Sequence, residues 1–150
     1  MMGIITARHP YGDLMGTVFT EVPFVDTLRT QTNRTIDLTP SGMSEYGTPD
    51  KSPADFGEML AVSPIYTLPA GGATGVRVLC RTGLLDQQVL PFEPFKWIER
   101  LRSPKSDGAD NKFISYEEDE THVYKMETFL KSRGLDLAIL VDWLEKNRRL

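Results

Sequence analysis

The sequence predicts an α/β fold of parallel strands with flanking helices, and three observations carry that prediction. A short apolar run, Val76, Val78, Leu79 and Cys80, reads as a buried strand that stops at Gly83. Beyond it Asp86 falls on the loop past the strand's carboxyl end, where open α/β sheets place their working residues. Strand-like and helix-like segments then alternate, the pattern of parallel strands joined by crossovers. The sheet reads as part of a wider one. Three strands make a poor stand-alone parallel sheet, and about 50 residues separate the first strand from the second, far more than a usual connection.

Met1 to Arg8 reads as the tail of a helix, ended at His9-Pro10 because the residue before proline disfavours the α region. Gly16 to Val22 is the first strand, with Val18 and Phe19 as its apolar content. Phe24 to Thr30 is a short helix. Thr32 to Pro53, rich in Thr, Ser, Gly, Pro and Asp, reads as loop, and Ala54 to Leu60 as another short helix. Ser63 to Gly75 is again loop, and its run Gly71-Gly72-Ala73-Thr74-Gly75 lacks the spacing of a phosphate-binding loop. Pro94 to Arg102 is a helix carrying Phe95, Trp97, Ile98 and Leu101, with proline at a start where its missing N–H costs little. Lys112 to Tyr116 is the third strand. Leu135 to Lys146 has the clearest helical period, with Leu137, Leu140, Val141 and Leu144 on one apolar stripe. Asp136 near its start and Arg148-Arg149 near its end suit the helix dipole.

The 150 residues fit one domain by length, with 40% hydrophobic and 25% charged residues, ordinary for a globular protein. A net charge of −4 argues against nucleic acid as a partner, since phosphate binding relies on a basic surface. The single cysteine, Cys80, forms no internal disulfide and reads as a buried core thiol, so a reducing, cytoplasmic setting is expected. No apolar stretch approaches the ~20 residues of a membrane helix. The first residues lack the basic start of a secretion signal, which makes the sequon Asn33-Arg34-Thr35 a chance match. No metal or organic cofactor is implied.

Arg81 to Arg102, RTGLLDQQVLPFEPFKWIERLR, is the most informative stretch. It resembles the segment holding the catalytic aspartate in the prolyl oligopeptidase family of serine peptidases, especially the oligopeptidase B branch. That family reads T-G-L-x-D-x-x-V, a short gap, then W-E-P-A-K-W-x-x-x-L-R. The matches are Thr82, Gly83, Leu84, Asp86, Val89, Glu93, Pro94, Lys96, Trp97, Leu101 and Arg102. Val22-Pro23-Phe24-Val25-Asp26 matches a family strand exit. Met2-Gly3, Arg8 to Leu14, Ile36, Leu38, Thr39, Glu45, Tyr46, Gly47, Pro49 and Ser63-Pro64 follow further family stretches.

The resemblance implies the C-terminal part of an α/β-hydrolase fold. It also implies a serine peptidase that hydrolyses short peptides through an acyl-enzyme. No G-x-S-x-G or G-G-S-x-G-G occurs in the sequence. Hydrolases of this fold use the chain order Ser, Asp, His. The expectation is therefore that the chain starts just after the serine, the nucleophile elbow and N-terminal propeller lying on a missing part of the same polypeptide. Asp86 and His122 are the candidate catalytic residues, His122 as general base and Asp86 as the group that orients it. Taken alone, Asp86 is also an ordinary turn residue and His122 an ordinary loop histidine. The family's G-H-G-G is replaced here by Thr121-His122-Val123-Tyr124, and His9 reads as a surface residue.

The branch's acidic E-F-E-E-W stretch corresponds to Gly42-Met43-Ser44-Glu45-Tyr46. Glu45 is left as the candidate substrate-binding acid, and basic specificity is expected to weaken because neither Gly42 nor Ser44 can grip a guanidinium. The acidic run Glu117 to Glu120 reads as a solvated loop, and Trp97 and Trp143 as packing residues. Two other readings follow from the same residues: a catalytically inactive fragment of such a peptidase, and an esterase or acyltransferase on the same fold.

Overall fold

The computed structural model describes residues 17–68, 76–102 and 112–147, so the expected helix tail at Met1 to Arg8, His9, the glycine run at 71–75 and Arg148-Arg149 lie outside the described residues. Three parallel strands form one sheet in the order β1 (Thr17–Glu21), β2 (Arg77–Gly83) and β3 (Lys112–Glu117). In register, Val18 faces Val78, and Cys80 faces Thr20 on one side and Ile114 on the other. The central strand is almost wholly buried, which explains why Val78, Leu79 and Cys80 are apolar in succession and do not alternate.

Five helices accompany these strands among the described residues: α1 (Thr27–Thr32), α2 (Thr39–Tyr46), α3 (Pro53–Val62), α4 (Phe92–Leu101) and α5 (Met126–Asn147). The core joins Val18, Val78 and Cys80 of the sheet to Trp97, Ile98 and Leu101 of α4, with Val25, Ile65 and Val76 from the connections. Burial pushes the Cys80 thiol up to about 12, so it is a packing group and not a nucleophile.

The motif Glu93-Pro94-x-Lys96-Trp97 locks this arrangement. Glu93 is fully buried and accepts from the Val25 and Asp26 N–H groups at 3.1 and 2.8 Å and from the Thr30 hydroxyl at 2.6 Å. It thereby satisfies backbone donors at the entry to α1. Lys96 Nζ meets the buried Asp26 carboxylate at 3.0 Å, and Trp97 is fully buried. Pro94 is the third helical residue and not the first, but its missing N–H still falls among the donors that a helix start leaves unpaired.

The structure corrects the local reading at several points. The 32–53 segment is not all loop: α2 occupies its middle, with Pro40 in its first turn. Its anchors are distant in sequence. The Thr39 hydroxyl donates to the Thr30 carbonyl, and the Tyr46 ring meets Phe24 edge-on at 6.0 Å. Helix α5 starts at Met126 and not at Leu135, so Asp136 sits in mid-helix, buried against the Arg81 guanidinium. The stripe residues Leu137, Val141 and Leu144 are exposed. On the sheet side, Arg81 of β2 donates to the Ser132 carbonyl and to Asp136, while Arg133 pairs with Asp136 and with Glu21 of β1. An ion network, in place of an apolar face, ties this helix to the strands.

Candidate active site

The site lies at the carboxyl ends of the strands, as parallel sheets dictate. Beyond β2 the backbone is pinned to the loop that follows β3. The Leu84 N–H donates to the Glu117 carbonyl and the Leu85 N–H to the Glu120 carbonyl, both at 3.0 Å. Gly83 makes this approach possible: a Cβ there would lie 2.3 Å from the Glu120 carbonyl oxygen. Asp86 is thus delivered, buried, to the same place as His122.

Both carboxylate oxygens of Asp86 are used. Oδ1 accepts from the Gln88 and Val89 N–H groups at 2.8 and 3.0 Å, which fixes the carboxylate plane. Oδ2 lies 3.0 Å from His122 Nδ1. Facing a buried carboxylate, Nδ1 carries the proton and donates it, which leaves the lone pair on Nε2. The His122 side chain is 32% exposed, so the ring remains open to an approaching group.

Glu120 is buried, although its acidic run reads as solvated. Its carboxylate accepts from the Lys125 N–H at 2.9 Å and the Thr128 hydroxyl at 2.6 Å, closing the loop around His122 and bracing the start of α5. The Thr128 hydroxyl first and the Lys125 N–H second hold its carboxyl below the usual range.

His122 borders two openings. One, of about 240 Å³, has walls that include Phe24, Gln31, Leu38, Tyr46 and Val89. The other, of about 330 Å³, is bordered by Glu21, Val22, Val123, Tyr124 and Phe129. Val22, at its rim, has φ +40°, strained for a β-branched residue that precedes proline. Burial and the nearby Glu21 carboxylate push the Tyr124 phenol up, although the Arg81 charge opposes them.

Asp86 and His122 are therefore brought together, while Glu45 is not: it is exposed on α2 and does not border the cleft. Gln31 and Glu120 went unrecognised in the sequence, since the groups they lie against, Gly42 for the first and Thr128 for the second, belong to other elements. Among the described residues no three of His, Cys, Asp and Glu converge to hold a metal, and no helix is long and apolar enough to cross a membrane.

The model of the prolyl oligopeptidase family matches residues 1–148. "Protease 2" of Moraxella lacunata is 35% identical over 97 residues, which cover 65% of this chain and 14% of that protein. "Dipeptidyl aminopeptidase BI" of Pseudoxanthomonas mexicana is 34% identical over 102 residues, covering 68% of this chain and 13% of its own length. The structure of oligopeptidase B from Leishmania major superposes with a TM-score of 0.82 at 24% identity, over 96% of this chain and 19% of that one. The chain thus spans a small fraction of the proteins it matches.

Proposed function

The chain belongs to the prolyl oligopeptidase family, and from that premise we propose that Asp86 and His122 are two members of a Ser-His-Asp triad that hydrolyses peptide bonds in short peptides. The observation that carries the reading is the 3.0 Å contact between Asp86 Oδ2 and His122 Nδ1, with the other carboxylate oxygen held by two backbone donors.

No Gly-x-Ser-x-Gly occurs in the 150 residues, so this reading requires a serine from outside them. Its place is a strand along the outer edge of β1, which no described strand pairs. That strand would end near Val22, beside His122. His122 Nε2 takes the serine proton as Oγ attacks the scissile carbonyl. Asp86 stabilises the imidazolium, which then gives its proton to the leaving amine as the acyl-enzyme forms. Water, deprotonated by the same nitrogen, releases the acid. The side chain preceding the scissile bond enters the cleft formed by Phe24, Leu38, Tyr46 and Val89. Glu45 lies beside Tyr46 outside that cleft, and no carboxylate among the described residues borders it to favour a basic residue. A reducing cytoplasmic setting fits the single buried thiol.

The test is kinetic, in the polypeptide that joins this segment to its serine. Asp86→Asn or His122→Ala should lower kcat by about 10⁴-fold with little change in KM. Either variant keeping a tenth of the activity would remove the residue from the triad.

A further inference from the structure

We propose that Gln31 sets the preference of the His122 cleft. It selects an uncharged side chain with an apolar body and a hydrogen-bond donor at its tip, and tyrosine is the smaller of the two aromatic side chains of that kind, the other being tryptophan. The inference rests on the reading of this cleft as the pocket beside the scissile bond.

Gln31 borders the cleft and is only 4% exposed, yet its Oε1 has no hydrogen-bond partner among the described residues. A buried acceptor left unpaired is costly, and a ligand donor removes the cost once the amide turns toward the cleft that Gln31 borders. The other buried polar groups of the wall are already engaged. The Thr30 hydroxyl donates to Glu93, and the Thr39 hydroxyl donates to the Thr30 carbonyl. Around the amide the surface is apolar and aromatic, with Phe24 and Tyr46 packed edge-to-face at 74° beside Leu38 and Val89.

Among the described residues none that borders the cleft carries a carboxylate, and the nearby Glu45 lies against Tyr46, so within the cleft a guanidinium or ammonium meets no opposite charge. Position 42 cannot supply one either. A Cβ on Gly42 would lie 3.0 Å from Gln31 Nε2, 3.2 Å from Oε1 and 3.3 Å from the Tyr46 ring. The neutral amide occupies the space that a side chain at 42 would contest. A site built around such an acceptor discriminates against an analogue that lacks the donor.

The experiment titrates N-acetyl-tyrosinamide, N-acetyl-phenylalaninamide and N-acetyl-argininamide into the ¹⁵N-labelled polypeptide that joins this segment to its serine. Signals followed are the Gln31 side-chain amide, the Val89 amide and the His122 ring. The tyrosine probe should bind about tenfold more tightly than the phenylalanine probe and shift the Gln31 amide, with the arginine probe weakest. Gln31→Leu should make the first two equal, and Gln31→Glu should lift the arginine probe above both. Equal affinity of the first two for the unaltered chain, or preference for the arginine probe, with Val89 and His122 still shifting, would overturn the role of Gln31 and leave the cleft reading intact. If no probe moves Val89 or His122, both fall together.

Discussion

Replacing Gly83 with alanine tests the contact that brings Asp86 to His122. The new Cβ would stand 2.3 Å from the Glu120 carbonyl oxygen and 2.7 Å from both the Glu120 carbonyl carbon and the Thr121 carbonyl oxygen. All three are backbone atoms, so no side chain can swing aside. The end of β2 and the His122 loop must part by about 1 Å, a displacement of the size that costs roughly 10²-fold when it falls on catalytic groups. The Leu84 and Leu85 hydrogen bonds, at 3.0 Å, do not survive it. Two net hydrogen bonds at ~1 kcal/mol each and ~1–3 kcal/mol of overpacking give a loss of about 3–5 kcal/mol. Urea unfolding, followed through the fluorescence of the fully buried Trp97, reads the stability. The His122 Nδ1–H resonance reads the contact with Asp86. If Gly83→Ala keeps the stability within about 0.5 kcal/mol and retains that resonance, the argument for a backbone-clamped pair is wrong.

Other outcomes follow from single contacts. Glu120 titrates lower folded than unfolded, so its support for the His122 loop is complete above the ordinary glutamate range and is lost as pH falls through its folded value. The protection factor of the Lys125 amide, its exchange rate relative to the intrinsic rate at the same pH, should therefore fall on acidification, and Glu120→Gln should abolish that dependence. Cys80, fully buried with its thiol pushed up to about 12, should resist iodoacetamide at pH 8 until the chain unfolds; rapid labelling of the native protein would contradict its place in the core. Glu93→Ala should cost about 2–4 kcal/mol in urea unfolding, because three donors at the start of α1 lose their acceptor. A loss below about 1 kcal/mol would mean that water replaces the carboxylate.

What could be read in the sequence, and what could not, separates by the range of the interaction. The central strand was legible because a strand buried on both faces of a sheet is apolar on both, which Val78, Leu79 and Cys80 display by themselves. The resemblance rested on residues whose task is structural: Glu93 caps α1, Lys96 neutralises Asp26, and Trp97 fills the core. They stand close together in the chain, so their pattern survives in one dimension. Helix α2 was missed because its weak local signal is rescued by Thr30 and Phe24, partners that composition does not reveal. Gln31 and Glu120 were missed for the same reason: each draws its meaning from another element, α2 for the first and the start of α5 for the second. The α5 stripe misled in the opposite direction. Periodicity shows that a helix has an apolar face, not which face meets the sheet, and here Ser132 and Asp136 meet Arg81 while Leu137 and Val141 stay exposed. Asp86 and His122 are a mixed case. The chain order suggested both, but only the folded clamp at Gly83 accounts for how a histidine outside the family's glycine-rich loop still reaches the aspartate.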